Sequence, residues 1–240
     1  MSKTPPQVVS SNSNNFIQNW SLDAVLKSIP TTTVTSPSSP LAFLHIIERL
    51  KTTPREGWRK HGILQGESIS DHMYRMSVIA MLCPPELKID RDRCVKLAIV
   101  HDMAEALVGD ITPPDKIEKV EKHRRELESM QYIVNTLLKP VSEAIAKDFM
   151  DLWLEYETGK TPEAPIKAAA DADSLLLVDR FELICQTIEY EKKYEAQKDL
   201  KEFLHVRESI KNDFVKKWAE DAMREREAFW RNAGIESIVP

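Results

Sequence analysis

Polar residues of the types that bind metals interrupt two strongly apolar stretches of the sequence. His72 stands among apolar residues, and His101 and Asp102 directly follow the apolar run 97–100. Burying such side chains without partners is costly, so their positions indicate a site. Glu105 is four residues after His101 and would share its helical face. Imidazole and carboxylate ligands together suit one Mn, Co, Fe, Ni or Zn ion, with Mg as an alternative. Taken singly, a histidine on an apolar helix face is more often a hydrogen-bonded core residue.

The elements that must position these residues are helices. From Pro40 onward, apolar residues recur at spacings of three and four, and no segment alternates apolar and polar residues as a strand would. The six glycines of the chain offer few positions for hairpin turns. The pattern therefore predicts an all-α fold, a compact multi-helix bundle. The predicted helices cover residues 41–54, 69–83, 90–108, 115–138, 141–156, 164–194 and 200–231.

Residues 1–40 differ in composition from the rest of the chain. Twenty-five of them are Ser, Thr, Asn, Gln or Pro, and three are charged. Such a segment buries too little apolar surface to offset its chain entropy, which predicts a disordered tail before a helical domain at 41–235. An apolar island at 16–29 has helix-like spacing. We favour a transient short helix there, with docking on the domain or on a partner as the alternative.

Charge and cysteine content exclude several classes of partner. A net charge of −5 and a pI near 5.8 give no electrostatic footprint for duplex nucleic acid or an anionic membrane, and no apolar stretch is long enough to span a bilayer. Three cysteines without a C-x-x-C spacing fit neither a disulfide framework nor a thiolate zinc site. We therefore expect no nucleic-acid or membrane partner and an intracellular location, cytoplasmic or also nuclear.

Three strings in a fixed order carry a family resemblance. They are residues 55–58 (REGW), 67–76 (ESISDHMYRM) and 101–113 (HDMAEALVGDITP). Together they resemble the HD-domain phosphohydrolase superfamily and, more narrowly, its 5′-deoxynucleotidase branch, the HD domain-containing protein 2 type. The resemblance runs from about Leu41 to Tyr194. It implies an all-helical homodimeric hydrolase that dephosphorylates deoxyribonucleoside 5′-monophosphates with one divalent cation.

The resemblance implies four metal ligands, namely His72, His101, Asp102 and Asp179. Asp179 begins the string DRFELICQTIEYE, which is similar to the family's D-x-x-E-[ML]-x-x-Q-x-x-E-Y-E helix. The sequence ahead of it departs from the family pattern. A longer alanine-rich piece follows 161–164, and the usual Lys-Asp pair is missing. Asp171 or Asp173 is therefore the alternative fourth ligand.

The same resemblance implies roles for four further residues. The cation would neutralise phosphate charge and lower the pKa of a water molecule, and Glu105 would orient that water or take its proton. Asp110 resembles the family's second catalytic carboxylate, with a simple turn or cap role as the alternative. Arg55 would hold the phosphate through a bidentate pair. Trp58 would pack against the sugar and disfavour a 2′-hydroxyl, with plain core packing as the alternative.

Two other functions stay open on the sequence. One is a different HD activity, such as hydrolysis of a cyclic or polyphosphorylated nucleotide, which predicts a second metal or extra basic residues. No further histidine-rich motif is visible. The other is a metal-binding but inactive scaffold that acts through its tail and last helix, which the altered sequence before Asp179 allows.

Overall fold

A computed structural model describes residues 19–30, 36, 38–87, 89–159, 166–210 and 212–234, and for residues 166–176 it describes the backbone alone. These residues form ten α-helices and no strand, which confirms the all-α prediction. The helices are α1 Leu22–Ser28, α2 Leu41–Ile47, α3 Glu56–Lys60, α4 Ile69–Leu82, α5 Arg91–Val100, α6 Glu105–Val108, α7 Lys119–Tyr132, α8 Glu143–Thr158, α9 Ile166–Lys193 and α10 Asp213–Asn232. No described helix has the length and apolar composition that crossing a membrane requires.

Local hydrogen bonding divides two of the long predicted helices. Residues 101–104 form turns between α5 and α6, because the amides that open α6 bond to carbonyls three residues back, as Glu105 N does to Asp102 O at 3.0 Å. The predicted helix 200–231 is a 3₁₀ segment, Lys201–Ser209, followed by α10. The side chain of Asn212 accepts from the amides of Phe214 and Val215 and so starts α10 afresh.

The described residues divide into two compact units. The first comprises those of Met1–Asp71 and His101–Asp151, and the second those of His72–Val100 and Leu152–Pro240. In the first unit, α6 packs against α1, α2 and α7. In the second, α9 packs against α5, α10 and the 3₁₀ segment. The core of the second unit consists of Ile184, Ile188, Leu204, Ile210, Val215, Ala219 and Met223.

The helix α1 belongs to the first unit and lies within the apolar island 16–29 that the sequence marked as having helix-like spacing. Val25 is fully buried, and the indole Nε1 of Trp20 donates to Leu107 O at 3.1 Å. Apolar burial and this long-range bond supply the stabilisation that composition alone does not reveal. Residues 1–18 and most of the linker 31–40 lie outside the described residues, so the division into a tail and a domain at residue 40 stays a prediction.

A buried ion pair joins α9 to α10. Glu191 is fully buried and accepts two bonds from Arg226, at 2.7 and 2.9 Å, and one from the indole Nε1 of Trp230 at 2.8 Å. It also accepts from the amide of Leu200 at 2.9 Å. Every lone-pair direction of this carboxylate is thus used, which offsets the cost of burying its charge.

Removing one partner of this pair should destabilise the fold. Arg226→Ala should lower the free energy of unfolding by about 3–5 kcal/mol, because it leaves the Glu191 charge buried and uncompensated. Arg224→Ala on the same helix removes an exposed ion pair with Asp221. This variant should change the free energy of unfolding by less than about 0.5 kcal/mol. Urea denaturation of the two variants checks this, and equal losses would contradict it.

Candidate functional site

A short backbone pairing in the first unit fixes the segment that carries Arg55 and Trp58. Arg55 N donates to Glu67 O at 3.1 Å, and Ile69 N donates to Thr53 O at 3.0 Å. The Trp58 indole Nε1 donates to Glu67 Oε1 at 2.8 Å, and the Trp58 side chain is 2% exposed. The ring is therefore firmly packed. Its predicted contact with a sugar stays a prediction.

Three predicted site residues meet in the first unit. His101 is buried in the turn that follows α5, and its Nε2 lies 3.1 Å from Asp102 Oδ2. Arg55 donates to the same Oδ2 from Nη1 at 3.3 Å. One carboxylate oxygen is thus shared by an imidazole and a guanidinium. The arrangement places a cation that can hold phosphate directly beside two side chains of metal-ligand type.

Glu105 is the buried acid of this group. Its side chain is 3% exposed, and Oε2 has no hydrogen-bond partner among the described residues. Burial, aided by the charges of Asp102 and Asp110, raises the pKa of Glu105 well above its ordinary value, although Arg55 and Lys122 oppose the shift. A carboxylate with a raised pKa is a better proton acceptor, as a general base requires.

Lys122, on α7, supplies a counter-charge that the sequence interpretation did not include. Its Nζ lies 4.0 Å from Glu105 Oε1 and 3.5 Å from Glu126 Oε1, and it donates to Ile111 O at 3.3 Å. Burial disfavours its charge, but Glu126 and Glu105 raise the pKa of Lys122 above its ordinary value. It therefore stays protonated. The one sequence signal for it was a mixed-charge helix, which usually indicates a solvated surface.

Asp110 connects the end of α6 to the start of α3. Gly109, at φ +81°, ends α6. The next residue, Asp110, then accepts from the amide of Glu56 through Oδ2 at 2.7 Å. The carboxylate thereby caps α3, the helix that directly follows Arg55. The catalytic role of Asp110 and its alternative as a simple turn or cap residue both stay predictions.

The second unit contains the other predicted histidine. His72, in α4, is 1% exposed; its Nε2 lies 3.4 Å from Asp179 Oδ1, and its Nδ1 lies 2.8 Å from Glu182 Oε2. Burial opposes ionisation of Glu182, but bonds and charges of His72 and Arg75 lower its pKa overall. An ionised carboxylate only accepts, so we assign the proton to Nδ1. The lone pair is then on Nε2, which faces Asp179.

Arg75 holds this carboxylate in place and was missed by the sequence interpretation. Its Nε donates to Glu182 at 2.7 Å, Nη2 to Gln186 at 2.6 Å and Nη1 to Glu189 at 2.6 Å. Two signals could have indicated the pairing. Arg75 is one turn past His72, and the three acceptors recur at spacings of four and three.

These donors fit a divalent cation in type. Each unit brings one histidine Nε2 and one aspartate oxygen together, His101 with Asp102 and His72 with Asp179. Nitrogen and carboxylate oxygen are the mixture that first-row divalent metals accept. The unpartnered Oε2 of Glu105 is the buried polar atom expected beside a reacting centre. The side chains of Asp171 and Asp173 lie outside the described residues.

The fold and these side chains define a class, an all-α protein in which buried histidines lie beside aspartates of metal-ligand type. The chain belongs to the HD domain family, whose sequence model matches residues 47–219.

Named relatives and solved structures agree with that membership. The chain is 44% identical over 194 residues to 5′-deoxynucleotidase YGK1 of Saccharomyces cerevisiae, which covers 81% of this chain and 86% of that protein. It is 46% identical over 192 residues to 5′-deoxynucleotidase hdd1 of Schizosaccharomyces pombe, and the match covers 80% of this chain and 92% of that protein. It resembles the solved structure of HD domain-containing protein YGK1 with a TM-score of 0.60 at 34% identity, covering 87% and 95%. It also resembles the crystal structure of the PH0347 protein from Pyrococcus horikoshii OT3 with a TM-score of 0.58 at 27% identity. That match covers 79% of this chain and 99% of the other.

Loss of the Glu182 charge should weaken metal binding. Glu182→Gln should lower the affinity for Mn²⁺ by about 10–100-fold, because the orienting acceptor of His72 Nδ1 becomes neutral. Glu189→Gln is the matched control, since Glu189 is half-exposed and the described contacts join it to Arg75 alone. Equilibrium dialysis of both folded variants measures the difference. Equal affinities would show that Glu182 does not orient the ligand.

Proposed function

We propose that this protein is a metal-dependent 5′-deoxynucleotidase, which hydrolyses deoxyribonucleoside 5′-monophosphates to deoxyribonucleosides and phosphate. The observation that carries the proposal is the contact of Arg55 and His101 with one oxygen of Asp102, beside the buried acid Glu105. The relatives YGK1 and hdd1, which bear that activity in their names, support it because they match four fifths of the chain.

The proposal assigns one divalent cation to His72, His101, Asp102 and Asp179. The assignment rests on the order of the motifs in the sequence and on the nitrogen–carboxylate pairs that each unit contains. A cation held there supplies charge neutralisation for the phosphate and lowers the pKa of a water molecule. The donor set accepts Mn, Co, Mg, Fe, Ni or Zn, and the activity assay below selects among them.

The chain's own residues then divide the chemistry. Arg55 binds phosphate oxygens through its guanidinium. Glu105 accepts a proton from the attacking water, because its raised pKa makes its carboxylate a stronger base than an exposed glutamate, and the ammonium of Lys122 lies 4.0 Å from it. As the water oxygen bonds to phosphorus, the bond from phosphorus to the 5′ oxygen breaks. That oxygen leaves as the hydroxyl of the deoxyribonucleoside once it regains a proton, which Glu105 can return.

The preference for deoxyribose is assigned to Trp58. Its ring is packed, and its indole N–H is bonded to Glu67, so the side chain cannot turn aside to admit an extra hydroxyl. Asp110 acts in this scheme by capping α3 beside Arg55, and the resemblance adds the role of a second catalytic carboxylate after Glu105.

Assembly and location are further parts of the proposal. The family resemblance supports a homodimer. The cysteine pattern supports an intracellular protein, cytoplasmic or also nuclear.

Phosphate release from a nucleotide panel tests the proposed activity. The full chain should release phosphate from deoxyribonucleoside monophosphates at least about tenfold faster than from the ribonucleotides, with one or more of the six metals. EDTA should abolish release. His101→Ala should reduce kcat by at least about 10²-fold, because a ligand is lost, whereas His45→Ala, at an exposed histidine, should match the parent.

Each contrary outcome in that assay has a definite meaning. Release only from cyclic or polyphosphorylated nucleotides would favour another HD activity. Metal binding without any phosphate release would favour the inactive scaffold. Full activity in His101→Ala would refute the ligand assignment.

The fourth ligand can be decided by metal content. Asp179→Ala should lose Mn²⁺ on dialysis against buffer, because an oxygen facing His72 Nε2 is removed. Asp173→Ala, a matched change in the same helix, should retain the metal of the parent protein. The reverse result, with Asp173→Ala as the metal-free variant, would transfer the role to the alternative aspartate.

A further inference from the structure

The carbonyls of α6 have partners from widely separated parts of the chain. The helix is four residues long, so its last carbonyls lack partners within it. Glu105 O accepts from the amide of Gly109 at 2.9 Å. Ala106 O accepts from Arg49 Nε at 2.6 Å, and Leu107 O accepts from Trp20 Nε1 at 3.1 Å. The short helix that carries Glu105 is therefore held by two outside donors.

Trp20 is the more unusual of these donors, because it precedes the family match at 47–219. Its ring is 6% exposed and lies 5.8 and 5.6 Å from the guanidinium carbons of Arg124 and Arg125. The cations and the apolar ring attract one another. The helix α1, capped by Ser21, starts two residues after Trp20 and packs against α6 and α7, and its Val25 is fully buried.

We propose that Trp20 is a positioning residue for Glu105, and that residues 19–30 form a strap that holds α6 in place. The kinetic part of this inference rests on the proposed function. The structural part, the order of α6, does not.

The geometry gives the strap a distinct kinetic signature. Without the indole N–H, Leu107 O is a buried carbonyl without its donor, and opening of α6 to water costs less free energy than in the parent protein. Glu105 is displaced in the open form, so the chemical step slows. Arg55 is anchored separately through its backbone bond to Glu67, so phosphate binding should persist. A fall in kcat with little change in KM is expected.

Two tryptophan-to-phenylalanine variants of the full chain test the strap. Trp20→Phe keeps an aromatic ring and removes one N–H donor. Trp230→Phe is the matched control, because it removes an equally buried indole donor, bonded to Glu191 in the second unit. At a temperature where both variants are folded, Trp20→Phe should lower kcat by about fivefold or more with KM within twofold. Trp230→Phe should keep both within twofold of the parent.

Hydrogen exchange gives a readout that needs no enzymatic activity. The amides of Leu107, Val108 and Gly109 bond to carbonyls of Ala104 and Glu105, so they exchange when α6 opens. They should exchange about fivefold faster or more in Trp20→Phe and at the parent rate in Trp230→Phe.

The combined outcomes decide the inference in every case. Parent-like exchange in Trp20→Phe overturns it. Faster exchange with an unchanged kcat, or equal loss of kcat in both variants, also overturns it, because positioning of Glu105 is then excluded. If the parent protein releases no phosphate from any nucleotide, the proposed function fails, and the exchange rates alone decide whether the strap exists.

Discussion

Burial of carboxylates beside cationic or imidazole groups is the constraint on which most of this structure depends. A charge removed from water is tolerated only when partners use its lone pairs, and such partners must come from elements that are distant in the sequence. Glu182 and Glu191 are both buried on α9, one against His72 and Arg75, the other against Arg226 and Trp230. Each carboxylate joins α9 to a different helix. The packing of the second unit and the orientation of its predicted metal ligand therefore follow from the same kind of bond.

In the first unit, the same constraint acts on Glu105, whose buried charge is not fully compensated. Glu105 is buried with Lys122 as a distant counter-charge, and one of its oxygens has no hydrogen-bond partner among the described residues. Its raised pKa is the electrostatic consequence. The helix that carries it is short, begins after a turn and ends at a glycine. Local order at this point depends on side chains from elsewhere, which is typical of sites where reactivity is favoured over stability.

The sequence predicted those parts of the structure that local patterns encode. Apolar spacing indicated the helices that contain His72 and Asp179, and the motif that contains His101, Asp102 and Glu105 indicated the chemistry. The sequence did not predict the turn at 101–104. Apolar residues continue toward Val108, and their spacing is the same whether the backbone hydrogen bonds span three or four residues.

The contacts that orient the site are not visible in local patterns. The partner of His72 Nδ1 is 110 residues away, and the acceptor of the Trp20 indole is 87 residues away. A tail rich in serine and proline gives no local sign that one tryptophan within it will be buried. Such bonds are set by three-dimensional packing, which composition and local spacing do not reveal.

Arg75 donates three hydrogen bonds to α9, and these bonds fix the helix downstream of the unusual sequence ahead of Asp179. Glu182, Gln186 and Glu189 occupy successive turns of α9, and one guanidinium binds all three. Sliding α9 along its axis by a turn would break every one of these bonds together. The register of α9 beside His72 is thus set by residues downstream of Asp179, and the unusual sequence lies on the upstream side of these three contacts.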